Sequence, residues 1–372
     1  MKISSIIPLI PCLIFITVLF GCEKKYFHDE EKFPFDLIED TLVVIDNLTI
    51  SVRKSNVENY INDVYIFDTL KSAVVTNKGF IEVTINGGYT WDKKLQSDIP
   101  LFSIDFGNND IGYVVGGSLS CNNTGCTPPG SKILKTEDGG NSWTIAFETK
   151  DVLMNCVDFI DELNGFVLGW TTIKNPFQRI GLIYNTSNGG KNWKIIDTIN
   201  NCQALKKIEF INEDLGFIYG IHDYYPESYP KFILSTNDGG NIWTEIFQKE
   251  DIYSIQLIDK DHGYYIENGI VFKTEDGAQS WTQLNNNPEN INQLLFVDKD
   301  IGFAFGCYCI NCGCFGCSCT SSIFVTHNGG NTWNGKMGLT KFPSQIVRAK
   351  FFSTNGIIYS MTRILEINIH GK

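Results

Sequence analysis

An all-β fold built from one repeated unit is the class this sequence predicts, and three observations predict it. Six segments share the pattern Thr-x-Asp/Asn-Gly-Gly/Ala-x-x-Trp, and six of the seven tryptophans fall at its last position. Between these segments an apolar run leads to an acidic or Asn turn, then to Gly and an aromatic, as in Ile104 to Tyr113 and Val157 to Phe166. The chain is 43% hydrophobic and only 19% charged, the balance of a folded protein with a sizeable core.

The N-terminus reads as a targeting segment. Lys2 precedes an apolar run from Ile6 to Phe20 that is too short to span a bilayer comfortably. The run ends in Leu19-Phe20-Gly21-Cys22, which resembles a lipobox. That resemblance implies that residues 1–21 are a lipoprotein signal peptide and that Cys22 is lipidated; a secretory signal with a chance cysteine is the alternative. The protein is then held at the membrane by lipid and does not cross it. Residues 22–40 form a polar tether. Glu23, in place of the aspartate that retains lipoproteins at the inner membrane, favours the outer membrane, with the leaflet open.

Each repeated turn has a residue-level reason. The six comprise Thr84, Asn86, Gly87, Trp91; Thr136, Asp138, Gly139, Trp143; Thr186, Asn188, Gly189, Trp193; Thr236, Asp238, Gly239, Trp243; Thr274, Asp276, Gly277, Trp281; and Thr326, Asn328, Gly329, Trp333. Asp or Asn accepts hydrogen bonds from backbone N–H groups two residues on. The Gly after it supplies a positive φ. Thr ends the incoming strand and ties the turn to it, and Trp opens the outgoing strand and buries its ring.

The tryptophans step by 52, 50, 50, 38 and 52 residues. Four short strands per step make a unit the size of a propeller blade. Six turns give six blades, beginning near Tyr60. Ile346 to Tyr359 and Arg363 to Ile369 supply three strands of another, and Thr41 to Val52 is an unassigned strand pair upstream. Residues 41–372 are therefore expected to form one seven-bladed β-propeller, with 41–53 as the closing strand of the last blade. Six blades with a loose tail is the alternative.

These turns are identified as Asp-box, or bacterial neuraminidase (BNR), repeats. Their Gly-aromatic spacing is similar to the group containing photosystem II assembly propellers, sortilin-type receptors and bacterial surface proteins. The resemblance covers residues 60–370 and implies fold far more than function. The photosystem assembly propellers bind a partner through an Arg-rich patch, which this chain lacks, so protein binding in general is what carries over.

Enzyme readings are weak. A sialidase needs three arginines converging on a carboxylate; this chain has four in all, Arg53, Arg179, Arg348 and Arg363, widely scattered. Phe177-Gln-Arg-Ile-Gly181 does not match the Phe/Tyr-Arg-Ile-Pro motif. A glycoside hydrolase with paired carboxylates is the alternative function, but most acids sit at turns and no pair can be nominated. The net charge of −12 disfavours nucleic acid.

The expected function is a non-catalytic, envelope-anchored, monomeric binding module without a cofactor, taking a protein or glycan. Its ligand face is the one opposite the Asp boxes, where the long insertions 117–130, 171–179, 222–231 and 307–322 fall. Trp170, Phe177, His222, Tyr224, Tyr225, Glu227 and Tyr229 are the candidate contacts. Cys307, Cys309, Cys312, Cys314, Cys317 and Cys319 crowd one insertion, and Cys121 and Cys126 pair up in another. Disulfides are the first reading in an oxidising compartment; Zn or Cu on the 307–319 loop is the alternative. Cys156 and Cys202 either pair or are buried.

Overall fold

The computed structural model describes residues 41–45, 48–122, 125–174, 177–222, 229–313, 316–339, 346–352 and 355–369. Among them every regular element is a strand, in six four-stranded antiparallel sheets and one five-stranded sheet. Seven sheets make a seven-bladed propeller. Its first strands are Ile61–Ile66, Leu101–Phe106, Leu153–Phe159, Cys202–Phe210, Ile252–Leu257, Ile291–Phe296 and Ile346–Phe352. Residues 1–40, where the sequence leads one to expect a signal peptide and a tether, lie outside the described residues.

Alternating apolar residues bury both faces of the inner strands between neighbouring blades. Ala73, Val75, Ile81 and Val83 of blade 1 share a core with Leu101, Ile104, Phe106, Val114 and Trp143 of blade 2. The fourth strands, such as Thr144–Thr149 and Lys194–Ile199, are mostly exposed. The ring is therefore held by sheet-on-sheet packing around its circumference.

The last blade takes strands from both chain ends. Ile346–Phe352, Asn355–Ser360 and Arg363–Ile369 are followed in the sheet by Leu48–Lys54, with Thr41–Ile45 as a fifth strand outside. Leu48 opposes Ile369 and Lys54 opposes Arg363. Leu48, Ile50 and Val52 are fully buried. Arg53 on the same strand donates from Nε to Glu366 at 3.0 Å, donates to the Gly87 carbonyl, and lies 4.3 Å from the Tyr89 ring centroid. The Trp91 indole donates to the Ser55 carbonyl at 2.6 Å. The N-terminal strand thus joins the C-terminal strand on one side and the first Asp-box turn on the other.

All six repeated Thr-to-Trp turns, which resemble Asp boxes, are built alike. The Thr hydroxyl donates to the Asp or Asn Oδ1, at 2.8 Å for Thr136 to Asp138. It accepts the N–H four residues on, at 3.0 Å from Gly140, and the other five turns repeat this bond. The Asp or Asn Oδ1 accepts the N–H four residues on, as from Ser142 at 2.9 Å. The carboxylate therefore spans a longer turn than the two-residue Asx closure expected from the sequence. The first Gly N–H donates to a carbonyl of the turn between strands one and two of its own blade, as Gly139 does to Asp110 at 2.9 Å. Both short turns of a blade are pinned together on one face.

The second Gly of the pair sits at positive φ, and blade 5 places Ala278 there at φ 70°. A Cβ on Gly240 (φ 84°) would lie 2.4 Å from the Phe166 ring. Gly240→Ala is expected to cost about 2 kcal/mol, combining left-handed strain with overpacking. Ala278→Gly is expected to change stability by less than about 1 kcal/mol, because relief of strain offsets added chain entropy. Denaturant titration of the two variants checks the contrast.

Antiparallel order puts the turns between strands two and three, and the blade-to-blade connections, on the opposite face. Three hairpins there run long: Gly112–Asn122 with Gly125–Thr136, Gly165–Lys174 with Phe177–Thr186, and Gly302–Gly313 with Gly316–Thr326. Their counterparts in blades 1 and 5 have strands of five residues. Much of the inserted sequence is strand, because a lengthened ladder satisfies its own backbone groups where an irregular loop would not.

Candidate functional site in the central ring and on the opposite rim

The first strand of each blade has one edge without a partner in its own sheet. Side chains of the preceding blade fill that gap. Asp63 accepts the Ile104 N–H at 3.1 Å and the Ser103 hydroxyl at 2.9 Å. Asp105 accepts the Phe159 N–H at 2.7 Å, and Asp158 the Phe210 N–H at 3.2 Å. Gln256 does the same for Phe296 at 2.8 Å, and Gln293 for Ile346 at 2.9 Å. Acceptor side chains at this register latch one blade to the next.

Blade 7 answers the carboxylates with one cation. Arg348 Nε lies 3.2 Å from Asp63 Oδ1, and its Nη1 lies 3.8 Å from Asp105. Asp63 and Asp105 are nearly buried, whereas the Arg348 side chain keeps 33% of its surface accessible. Burial raises the Asp105 carboxyl to about 6 against the pull of Arg348. Burial, then the Asp105 charge, raises Asp158 well above the ordinary range. Burial works against the Arg348 charge, but Asp63, Asp105 and Asp158 outweigh it and raise its pKa.

These shifts fix a pH dependence. An acid whose folded pKa lies above its unfolded value binds its proton more readily when folded. Its stabilisation is complete below the unfolded value of 3.8 and is lost as pH rises through about 6. The Asp-box acids behave oppositely: hydrogen bonds from the Ser142 hydroxyl and N–H hold Asp138 at about 2, so its contribution is lost as pH falls from about 4 to 2. Thermal stability is therefore expected to peak between about pH 4 and 5, and Asp158→Asn is expected to flatten the rise from pH 7. Melting curves across pH 3–8 check both.

The sequence did not single out Arg348, Asp63, Asp105 or Asp158. A signal existed: Asp105 and Asp158 each precede the last aromatic of a first strand, Ile104-Asp-Phe106 and Val157-Asp-Phe159, at one place in the repeat. An acid within a strand rather than a turn needs a partner, and Arg348 in the first strand of the final repeat supplies it.

On the rim, the sequence candidates separate. Trp170 and His222 are buried, not displayed. Trp170 lies beneath the Arg179 guanidinium, its ring centroid 5.0 Å from Cζ. His222 stacks on Phe232 at 4.1 Å and bonds Glu245 at 3.0 Å. Their large rings are drawn into the blades that the contact reading had them leave. Tyr229 is 45% exposed. Phe177 opposes Lys174 at a hairpin tip, while Tyr224, Tyr225 and Glu227 lie outside the described residues.

The cysteines fall into register on two long hairpins. Cys121 opposes Cys126, and Cys309 opposes Cys319. Cys307 opposes Ser321; Cys312 and Cys317 flank a register shift, and Cys314 lies outside the described residues. Directly opposed residues are about 4.5–5.5 Å apart at Cα, within the range a disulfide spans. Cys156 and Cys202 are free and buried, and burial raises both thiols to about 12.

No family model matches the chain, and no curated protein does. Solved structures do. YCF48 bound to a D1 peptide superposes with a TM-score of 0.62 at 17% identity, covering 90% of this chain and 100% of its own. YCF48 from Cyanidioschyzon merolae gives 0.60 at 17%, covering 86% and 99%. The WD40 propeller domain of Doa1 gives 0.52 at 10%, covering 90% and 98%. At these identities the likeness is one of fold: this chain is a β-propeller similar in architecture to YCF48.

Proposed function

We propose that the protein is a non-catalytic binding module of the cell envelope, anchored through lipid on Cys22, that takes a protein ligand on the face opposite its Asp boxes. One observation carries this reading: three long hairpins stand on that face, on blades 2, 3 and 6, while the other face is consumed by six near-identical turns. Uneven projections on a rigid ring are how a repeat fold builds a recognition surface. That a YCF48 propeller is known bound to a D1 peptide supports a peptide as ligand.

The four arginines do not favour a sialidase. Arg53 is committed to Glu366, Arg348 to Asp63, and Arg179 lies over Trp170. The raised Asp105 and Asp158 have the chemistry a glycoside hydrolase wants, yet each holds a backbone N–H of the next blade. Their work is structural.

The test uses the chain without residues 1–21 to select displayed peptides, with hairpins 117–130, 171–179 and 307–322 cut back to two-residue turns as counter-selection. The reading expects peptides that bind the full face and lose at least about tenfold on the trimmed proteins, about 1.4 kcal/mol. Equal binding to both would contradict it.

A further inference from the structure

The chain is acidic, and nine of its lysines pair with a carboxylate among the described residues. Lys132 pairs with Asp98 at 2.8 Å, Lys249 with Glu267 at 2.7 Å and Lys273 with Glu275 at 2.6 Å. Three cations on blades 3 and 4 are half-buried without such a pair. Arg179 is the third residue of the return strand of the blade 3 hairpin, opposite Thr172. Lys206 is the extra residue where the register of the blade 4 first strand shifts between Leu205 and Lys207. Lys231 opens the third strand of blade 4, opposite Ile221. None of the three has an ion pair with a carboxylate among the described residues.

They are also close enough to repel. The charge of Arg179 acts on Lys206, and that of Lys206 acts on Lys231. Burial holds Lys206 below the usual lysine range, with Cys202 opposing the shift and the Arg179 charge adding to it; burial, opposed by Asp251 and helped by the Lys206 charge, brings Lys231 down to about 8. Asp251 is the carboxylate whose field reaches Lys231, without forming an ion pair.

The cluster is held in place. Trp170 supports the Arg179 guanidinium from below, and Gln178 donates to the Asn201 side chain at 2.7 Å, tying the hairpin to the connection into blade 4. Arg179 Nε is buried with no acceptor among the described residues. Lys231 Nζ lies 5.9 Å from the Tyr253 ring centroid. Half-buried cations without an ion pair among the described residues cost stability. The unpaired buried Nε of Arg179 itself points to an acceptor that arrives from outside.

We infer that Arg179, Lys206 and Lys231 form an anion site on the face opposite the Asp boxes, and that it takes a carboxylate of a bound peptide. The inference rests on the protein-binding reading above and names the chemistry of that ligand. Arg179 presents a fork suited to a carboxylate, Lys206 and Lys231 add charge, and partial burial strengthens all three over exposed lysines.

The test is calorimetric titration of the chain without residues 1–21. Probes are a blocked triglutamate amide, a blocked triglutamine amide, and a triglycine with a free C-terminus, which separates side-chain from terminal carboxylates. Binding of triglutamate or of the free terminus, but not of triglutamine, is expected. It should weaken at least about tenfold in Lys206→Met and in Arg179→Gln, the loss of one charge-assisted bond. The exposed control Lys78→Met should bind as the parent does. Affinity should fall several-fold between pH 7 and 9 as Lys231 loses its proton. Lys206→Met should also melt higher than the parent, a readout that a merely structural lysine would reverse. Equal binding of all three probes, unchanged affinity in both variants, or a lower melting temperature for Lys206→Met would each overturn the inference. If the variants lose triglutamate while hairpin trimming spares peptide selection, the anion site stands and the wider protein-binding reading falls. If trimming abolishes selection while both variants bind triglutamate normally, the anion site alone fails.

Discussion

Deleting residues 41–54 is expected to abolish cooperative folding of the ring. Leu48, Ile50 and Val52 bury their side chains completely in the last blade, and each contributes about 1.5–3 kcal/mol. Their loss, with the strand's ladder to Arg363–Ile369, consumes most of the roughly 5–15 kcal/mol that stabilises a typical domain. It also bares an edge open to pairing with another chain. The milder Arg53→Met variant isolates the polar part. The Arg53 side chain is 7% exposed and Glu366 37%, so the cost should fall near 3 kcal/mol, the low end for breaking a buried pair. Size-exclusion chromatography of the deletion and urea unfolding of the variant read the two results. A deletion that melts like the parent would show that the ring closes without this strand.

Arg348→Met is the second large effect. It leaves Asp63, Asp105 and Asp158 crowded around the centre with no cation among them. Stranding buried charges of one sign costs about 3–5 kcal/mol, and the cost should be greatest near pH 7. Lowering the pH to 5 should restore much of the loss, because Asp105 already titrates near 6 and gains its proton there. Adding Asp158→Asn should rescue the variant at neutral pH. A loss independent of pH would mean that Arg348 acts through packing alone.

The architecture was legible because the Asp-box turn needs fixed residue types at fixed spacing. Thr for the double-duty hydroxyl, Gly for positive φ and Trp for the core all recur, and the seven blades follow from their count plus the partial repeat at Ile346. The central charges were harder to see. Asp105 and Asp158 differ from turn aspartates only in lying within a strand, and Arg348 meets them only when blade 7 closes against blade 1. Trp170 and His222 misled because aromatic residues near an insertion read as displayed, whereas both are strand residues that pack inward, Trp170 under Arg179 and His222 on Phe232. Lys206 carries no sequence signal at all: its register shift and its missing counter-ion exist only in three dimensions.

Hydrogen–deuterium exchange of the chain without residues 1–21, with and without a peptide selected on it, tests the central claim most directly. Protection concentrated in 117–130, 171–179, 229–231 and 307–322, with the six Asp-box turns unchanged, is the result this account predicts. Protection confined to those turns, with the opposite rim unaffected, would contradict it.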